Sequence, residues 1–239
     1  MTQTVALPSA PKTLVEEVYL RIRASILAGR LLPGQKLKIA LLCEEHGASL
    51  SIVREALTRL SAEKLVRSQP QQGFTVTSLS PDGLRDLTFV RIQIESIALR
   101  RAMERGGVDW EAGVLAAHHV LANTPVHAPD DSKRLSEAYA AAHAAFHFSL
   151  TAACDSPLLL DYQRTLYDAS ELYRRLSYLM TRERRGVRDK AGDHRRLMEA
   201  TLARDADRAI RLLTTHYEAT TRNLIDCGIL DSGSVGDAA

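Results

Sequence analysis

Apolar residues recur at helical spacing along nearly the whole chain, and the rhythm breaks to a β pattern at one place. Val15, Val18, Tyr19, Ile22 and Ile26 share one face of a 3.6-residue period, with Thr13 and Glu16 placed as a capping box and Gly29 as the stop. Pro33-Gly34 marks a turn, Leu37 to His46 reads as a short helix, and Gly47 ends it. Ser49 and Ser51 are N-cap residue types ahead of a helix whose apolar face is Val53, Ala56, Leu57 and Leu60, leaving Arg54, Thr58 and Arg59 off that face. Beyond Glu63 the pattern shortens to Leu65-Val66 and Phe74-Thr75-Val76, and Pro70-Gln71-Gln72-Gly73 supplies a hairpin turn. Three helices and a hairpin thus form the expected first domain, residues 12–78, behind a leader, residues 1–11, read as disordered.

From Ser80, a cap followed by Pro81, the strand signals vanish. Helical segments are expected at 82–105, 109–122, 132–153, 157–180, 189–203 and 206–227. They are separated by Gly106-Gly107, a loop with Pro125 and Pro129, the cap Ser156, a basic break over Arg182–Arg188, and Asp205. Six helices in a domain spanning 83–227 point to an antiparallel bundle. Residues 79–82 would be the linker, and 228–239, rich in Gly, Ser and Asp, a mobile tail. The fold class is therefore mostly α, three helices and a hairpin followed by an all-helical antiparallel bundle of six helices.

Composition sharpens this picture. With 239 residues and 45% hydrophobic content, the chain is long enough for two modest cores. Residues 1–78 hold ten Lys/Arg against six Asp/Glu, which leaves 21 against 23 for the remainder. A mildly basic first domain beside a mildly acidic second one suits a nucleic-acid reader joined to a sensor. Cys43, Cys154 and Cys227 are widely spaced and form no CxxC, so they read as reduced thiols in a cytoplasmic protein. No apolar run reaches the roughly 18 residues of a membrane span, and residues 1–12 lack the charged and apolar regions of a signal peptide.

A helix whose first turn carries two serines and an arginine suits the major groove. Its free N–H groups can meet a phosphate, and arginine and serine can read base edges. The run GRLLPGQKLKIALLCEEHGASLSIVREALTRLSAEKLV followed by QQGFTV closely resembles the winged helix-turn-helix of the GntR family of bacterial transcription regulators. The resemblance implies double-stranded operator DNA as partner, with Ser49, Ser51 and Arg54 at the groove and Lys38, Gln71, Gln72 and Gly73 adding backbone contacts. RIQIESIALRRAM, AHAAFHFSL and GDHRRLMEATLARDADRAIRLLTTHYEATT resemble the FCD ligand-sensing domain of the FadR-like branch, and the count of six helices is closer to its VanR-type variant. The resemblance covers roughly residues 12–227 and implies a homodimer.

Four histidines stand at telling positions. His143 and His147 are spaced i, i+4 on one helix face. His194 falls with Met198 and Thr201, and His216 with Ala209, Leu213 and Thr220, so both point inward. Four imidazoles on three helices are an inventory for one divalent transition metal, zinc or nickel, although a lone histidine on an apolar face is more often a hydrogen-bonded core residue. The family resemblance adds that metal-binding FCD regulators carry an acid four residues before one histidine, with further histidines on the last two helices. His147, His194 and His216 match, whereas His143 stands where an aspartate is usual. Arg91 and Arg174 are candidates to hold a small carboxylate effector, with an ion pair to Glu95 or another acid as the bland reading.

Three function classes follow. The leading one is a regulator whose operator affinity is set by a carboxylate at the metal. The second is a metal-dependent enzyme with an accessory winged helix. The third is a regulator whose metal is purely structural. Against the enzyme, the histidine pair reads HAAFH, with Ala144 where a zincin needs its general-base glutamate.

Overall fold

The computed structural model describes residues 13–129, 131–180 and 189–226. The expected leader, the basic break Arg182–Arg188, Cys227 and the tail lie outside these residues. Two compact units divide the chain, one ending at Ser78 and the other beginning at Leu79.

The first unit holds α1 (Leu14–Leu27), β1 (Lys36–Leu37), α2 (Ile39–His46), α3 (Leu50–Ala62), β2 (Val66–Gln69) and β3 (Gly73–Val76). The Thr13 hydroxyl accepts the Glu16 N–H at 3.2 Å and so caps α1. Val18, Ile22 and Ile26 of α1 are buried with Val53, Ala56, Leu57 and Leu60 of α3, and these two helices pack on each other. Leu37, expected to open a helix, instead pairs with Phe74 in an antiparallel sheet of order β1-β3-β2. The reason is local. Leu37 is buried, and Gly34 and Gln35 are tied to Val76 through their backbones, which keeps the approach to α2 extended. Gly47, at φ 59°, ends α2 in the left-handed conformation that glycine adopts without steric cost.

The second unit holds α4 (Pro81–Arg105), α5 (Val108–Asn123), β4 (His127–Ala128), β5 (Asp131–Leu135), α6 (Glu137–Thr151), α7 (Pro157–Ala169), α8 (Glu171–Met180), α9 (Lys190–Leu202) and α10 (Ala206–Asp226). Of residues 79–82, Leu79 is buried, the Ser80 hydroxyl accepts the Gly83 N–H, and Pro81 and Asp82 form the first turn of α4. Ser156 caps α7 and Asp205 accepts the Arg208 N–H ahead of α10, as their positions in the sequence suggest.

Two expectations for this unit are corrected. It carries seven helices among the described residues rather than six, which removes the helix-count argument for the VanR-type variant. The segment 157–180 breaks at Ser170, where the Tyr167 carbonyl accepts from the Ser170 N–H, the Ser170 hydroxyl and the Arg174 guanidinium. Neither is the unit purely helical. The segment expected to start a helix at 132 is instead strand β5, antiparallel to β4, and α6 begins only after the cap Ser136. Thr124 and Ala128 precede prolines, and pre-proline residues are pushed to extended backbone. α4 packs against α10, α7 and α6. The core is built from residues such as Leu99, Val114, Phe146, Leu150, Leu197 and Leu213.

Candidate functional site

On α3 the first turn is open. Ser49 occupies the N-cap position with extended backbone, but its hydroxyl makes no capping bond and lies 3.0 Å from the Ser51 hydroxyl. The start of the helix therefore keeps N–H donors available to an anion. Ser49, Ser51 and Arg54 are all exposed. Glu55 is taken by Arg59 at 2.7 Å, and among the described residues Arg54 has no ion-pair partner. Lys38 is exposed at the N-cap of α2. The wing tip carries Gln71 at φ 63° and Gly73 at φ 86°, and Gln71, Gln72 and Gly73 are exposed. Sequence reasoning passed over Arg67, also exposed, on strand β2 of the wing.

The second site lies inside the helical unit. α6 contributes His143 and His147, α9 His194 and α10 His216, and all four are buried. Ring centroids of His143 and His147 are 4.5 Å apart, those of His194 and His216 4.7 Å, and those of His143 and His194 5.1 Å. One ring nitrogen from each residue lies within 4.8 Å of all the others. Zinc–imidazole bonds of 2.0–2.1 Å put tetrahedral ligand atoms about 3.4 Å apart, so ring rotations on the order of an ångström would close the set on one ion.

The chemistry of these donors fits a cation. Burial, and then the neighbouring imidazoles, lower the pKa of His143 and of His147 well below the usual histidine value. Both rings are thus neutral and carry a lone pair, the form a metal requires. Nε2 of His147 is buried with no hydrogen-bond partner, an arrangement that is costly unless a ligand meets it. The four histidines as a set could therefore hold a metal ion.

Around the histidines lies a polar shell that only partly matches the sequence reading. The Tyr217 hydroxyl is 2.6 Å from Glu95 Oε2 and 3.2 Å from His147 Nδ1, and the Tyr167 hydroxyl is 3.0 Å from His143 Nδ1. Nothing in the helical periodicity singled out these tyrosines as more than core residues. Arg91 is buried and donates from Nε to Glu95 at 3.0 Å and from Nη1 to Ser170 at 3.1 Å. Arg174 pairs with Glu171 and lies over the Tyr167 ring, 3.5 Å from its centroid. The structure thus gives both arginines acidic partners. A cavity nonetheless opens beside the cluster, lined by Arg91, Arg174, His143 and His216, by hydroxyl-bearing side chains such as Ser170 and Tyr217, and by leucines, with no carboxylate in its wall. Arg175, next to the candidate Arg174, forms a bidentate pair with Glu137 at 2.7 Å and is absent from that wall.

Residues 14–76 match the description "Bacterial regulatory proteins, gntR family" and residues 86–219 match "FCD domain". The chain is 36% identical over 92% of its length to an uncharacterized HTH-type transcriptional regulator, BphR, of Paraburkholderia xenovorans, covering 88% of that protein. It is 34% identical over 83% of its length to the HTH-type transcriptional repressor GlaR of Escherichia coli, covering 90% of it. In fold it is similar to E. coli McbR/YncC, with a TM-score of 0.67 and 21% identity over 90% of this chain and 98% of that one. These relatives are regulators rather than enzymes, and no helix among the described residues is long and apolar enough to cross a membrane. With an open-ended α3 and wing ahead of a helical unit that matches the FCD domain, the chain belongs to the GntR family and is a DNA-binding transcriptional regulator of the FCD type.

Proposed function

We propose that this regulator acts in the cytoplasm as a homodimeric repressor whose hold on its operator is set by a small carboxylate bound beside a divalent metal ion. The repressor sense follows the E. coli relative's name. His143, His147, His194 and His216 would hold the ion, zinc or nickel, both of which an all-imidazole donor set suits. When bound, such an ion supplies a Lewis-acid anchor for a carboxylate oxygen. The observation that carries the reading is the cavity wall, where the guanidinium groups of Arg91 and Arg174, whose partners Glu95 and Glu171 are not part of that wall, meet two of the clustered imidazoles. An anion is the ligand such a wall favours, and the forked guanidinium suits a carboxylate.

On the DNA side, Arg54, Ser49 and Ser51 would read base edges, while Lys38 and the Gln71–Gly73 tip would position the protein on the backbone. Helix α4 would link the two sites. α4 starts three residues after the DNA-binding unit ends and carries both Arg91 and Glu95. A carboxylate drawn to Arg91 competes with Glu95 for that guanidinium, and the difference in affinity between the two arrangements is what would shift α4.

The test is a gel shift on operator DNA with metal-free and zinc-loaded protein against a panel of mono- and dicarboxylates, alongside elemental analysis of the purified chain. Release of DNA by a carboxylate only in the loaded protein supports the reading. An effector response that survives chelation assigns the metal, if any, a structural role.

A further inference from the structure

The hydrogen bonds around His147 define more than a ligand. Tyr217 on α10 has one hydroxyl proton. Its oxygen is 2.6 Å from Glu95 Oε2, a carboxylate that can only accept, so that proton goes to Glu95. The same oxygen is 3.2 Å from His147 Nδ1 and, having given its proton away, accepts there. Nδ1 must then carry the hydrogen of the neutral ring, and Nε2 the lone pair. Nε2 is the atom that is buried with no hydrogen-bond partner, on a ring whose centroid lies 5.5 Å from those of His194 and His216. Arg91 donates to the other Glu95 oxygen at 3.0 Å and lies over the Tyr217 ring, 4.1 Å from its centroid. The Gln163 amide adds a weaker contact to Glu95, at 3.5 Å, and donates to the His147 carbonyl at 3.3 Å.

We propose that Glu95 and Tyr217 are positioning residues that lock His147 in its Nδ1–H tautomer, so that Nε2 is presented as a ready-made metal ligand. A tautomer set in advance removes the cost of proton rearrangement on ligation and makes the ring more basic, which is how outer hydrogen-bond partners raise metal affinity. The proposal rests on the metal reading for its purpose, but the lock itself belongs to the metal-free protein.

The experiment therefore has two arms on the full chain. In metal-free protein with 15N-labelled histidine, long-range 1H–15N spectra report which nitrogen of His147 carries the proton. In parallel, zinc affinity is measured by competition with a chromophoric chelator. Wild type is expected as the Nδ1–H tautomer. Tyr217→Phe, which deletes the acceptor but keeps the ring, should lose that preference and bind zinc about 10–100-fold more weakly. Glu95→Gln, whose amide can donate to the Tyr217 oxygen and send the hydroxyl proton toward His147, should do the same and covers the case in which Tyr217→Phe does not fold. An unchanged tautomer in the variants overturns the proposal, even if affinity falls, because Tyr217 would then act through packing alone. A changed tautomer with unchanged affinity overturns it as well. If wild type shows the lock yet takes no zinc, the metal reading fails while the tautomer assignment stands.

Discussion

His147 has one ring nitrogen committed to Tyr217 and the other buried without a hydrogen-bond partner, and that combination distinguishes it from an ordinary core histidine. A ligand that binds only the folded state stabilises it by RT ln(1 + [L]/Kd), about 2.7 kcal/mol at a free concentration of 100 Kd. Zinc should therefore raise the melting temperature of the wild-type chain. His147→Ala should abolish that rise while retaining helical circular dichroism and basal DNA binding, because the residues of α3 and the wing belong to the other unit. A zinc-dependent rise that persists in His147→Ala would remove this histidine from the site. Arg54 is the matching residue on the DNA side. It is exposed and, among the described residues, without an ion pair, so Arg54→Ala should leave the melt unchanged and weaken operator binding by about 1–3 kcal/mol in a fluorescence-anisotropy titration. Equal weakening on random DNA would recast it as a phosphate contact.

Among the elements, the junction of α4 and α5 makes a sharp stability prediction. Gly106 ends α4 at φ −65°, so no left-handed backbone demands a glycine there. Space does. A Cβ at this position would lie 2.2 Å from Trp110 Cε3 and 2.8 Å from the Ala102 carbonyl. The Trp110 indole is itself fixed by donating to the Ser149 carbonyl at 2.8 Å, which leaves it little room to yield. Gly106→Ala should cost about 1–3 kcal/mol of overpacking, read as a lower urea midpoint. Gly107→Ala, with nothing within 4 Å, is the control expected to change little.

The same elements show what periodicity could and could not disclose. α1 and α3 were legible because an N-cap residue type precedes an apolar face in each, as with Thr13, Val18, Ile22 and Ile26 in α1, and the wing because a polar turn separates two β-prone pieces. The convergence of four histidines was legible because i, i+4 spacing and inward faces fix direction without knowledge of the packing. The break at Ser170 was not, because both sides keep helical spacing and the interruption is made by side chains from α4 and α8 competing for the turn. Strand β5 was hidden for a related reason. DSKRL has no strand alternation of its own, and its pairing with His127-Ala128 depends on prolines placed before it. The tyrosines that orient the imidazoles escaped because an inward tyrosine has the same periodicity as any core aromatic.

For the whole molecule, a single winged helix reads too few base pairs to find an operator, and two-fold pairing multiplies both affinity and selectivity. The helical unit exposes large apolar side chains. Phe89 and Ile97 on α4 and Leu158 and Tyr162 on α7 are between 51% and 65% exposed, and α4 packs against α7. Exposed large apolar side chains on two packed helices offer a surface that a partner could cover, and for an operator-binding regulator a second copy is the natural one. Sedimentation velocity at micromolar concentration should give a dimer, with and without zinc. Ile97→Asp, which replaces one of the exposed apolar side chains of α4 with a carboxylate, should shift the chain toward monomer while leaving its helical content intact. That variant should also lose operator affinity far more than its affinity for random DNA, since each winged unit keeps its own contacts but the two half-sites no longer act together. A monomeric wild type, or an Ile97→Asp variant that sediments as the wild type does, would move the dimer contact away from α4.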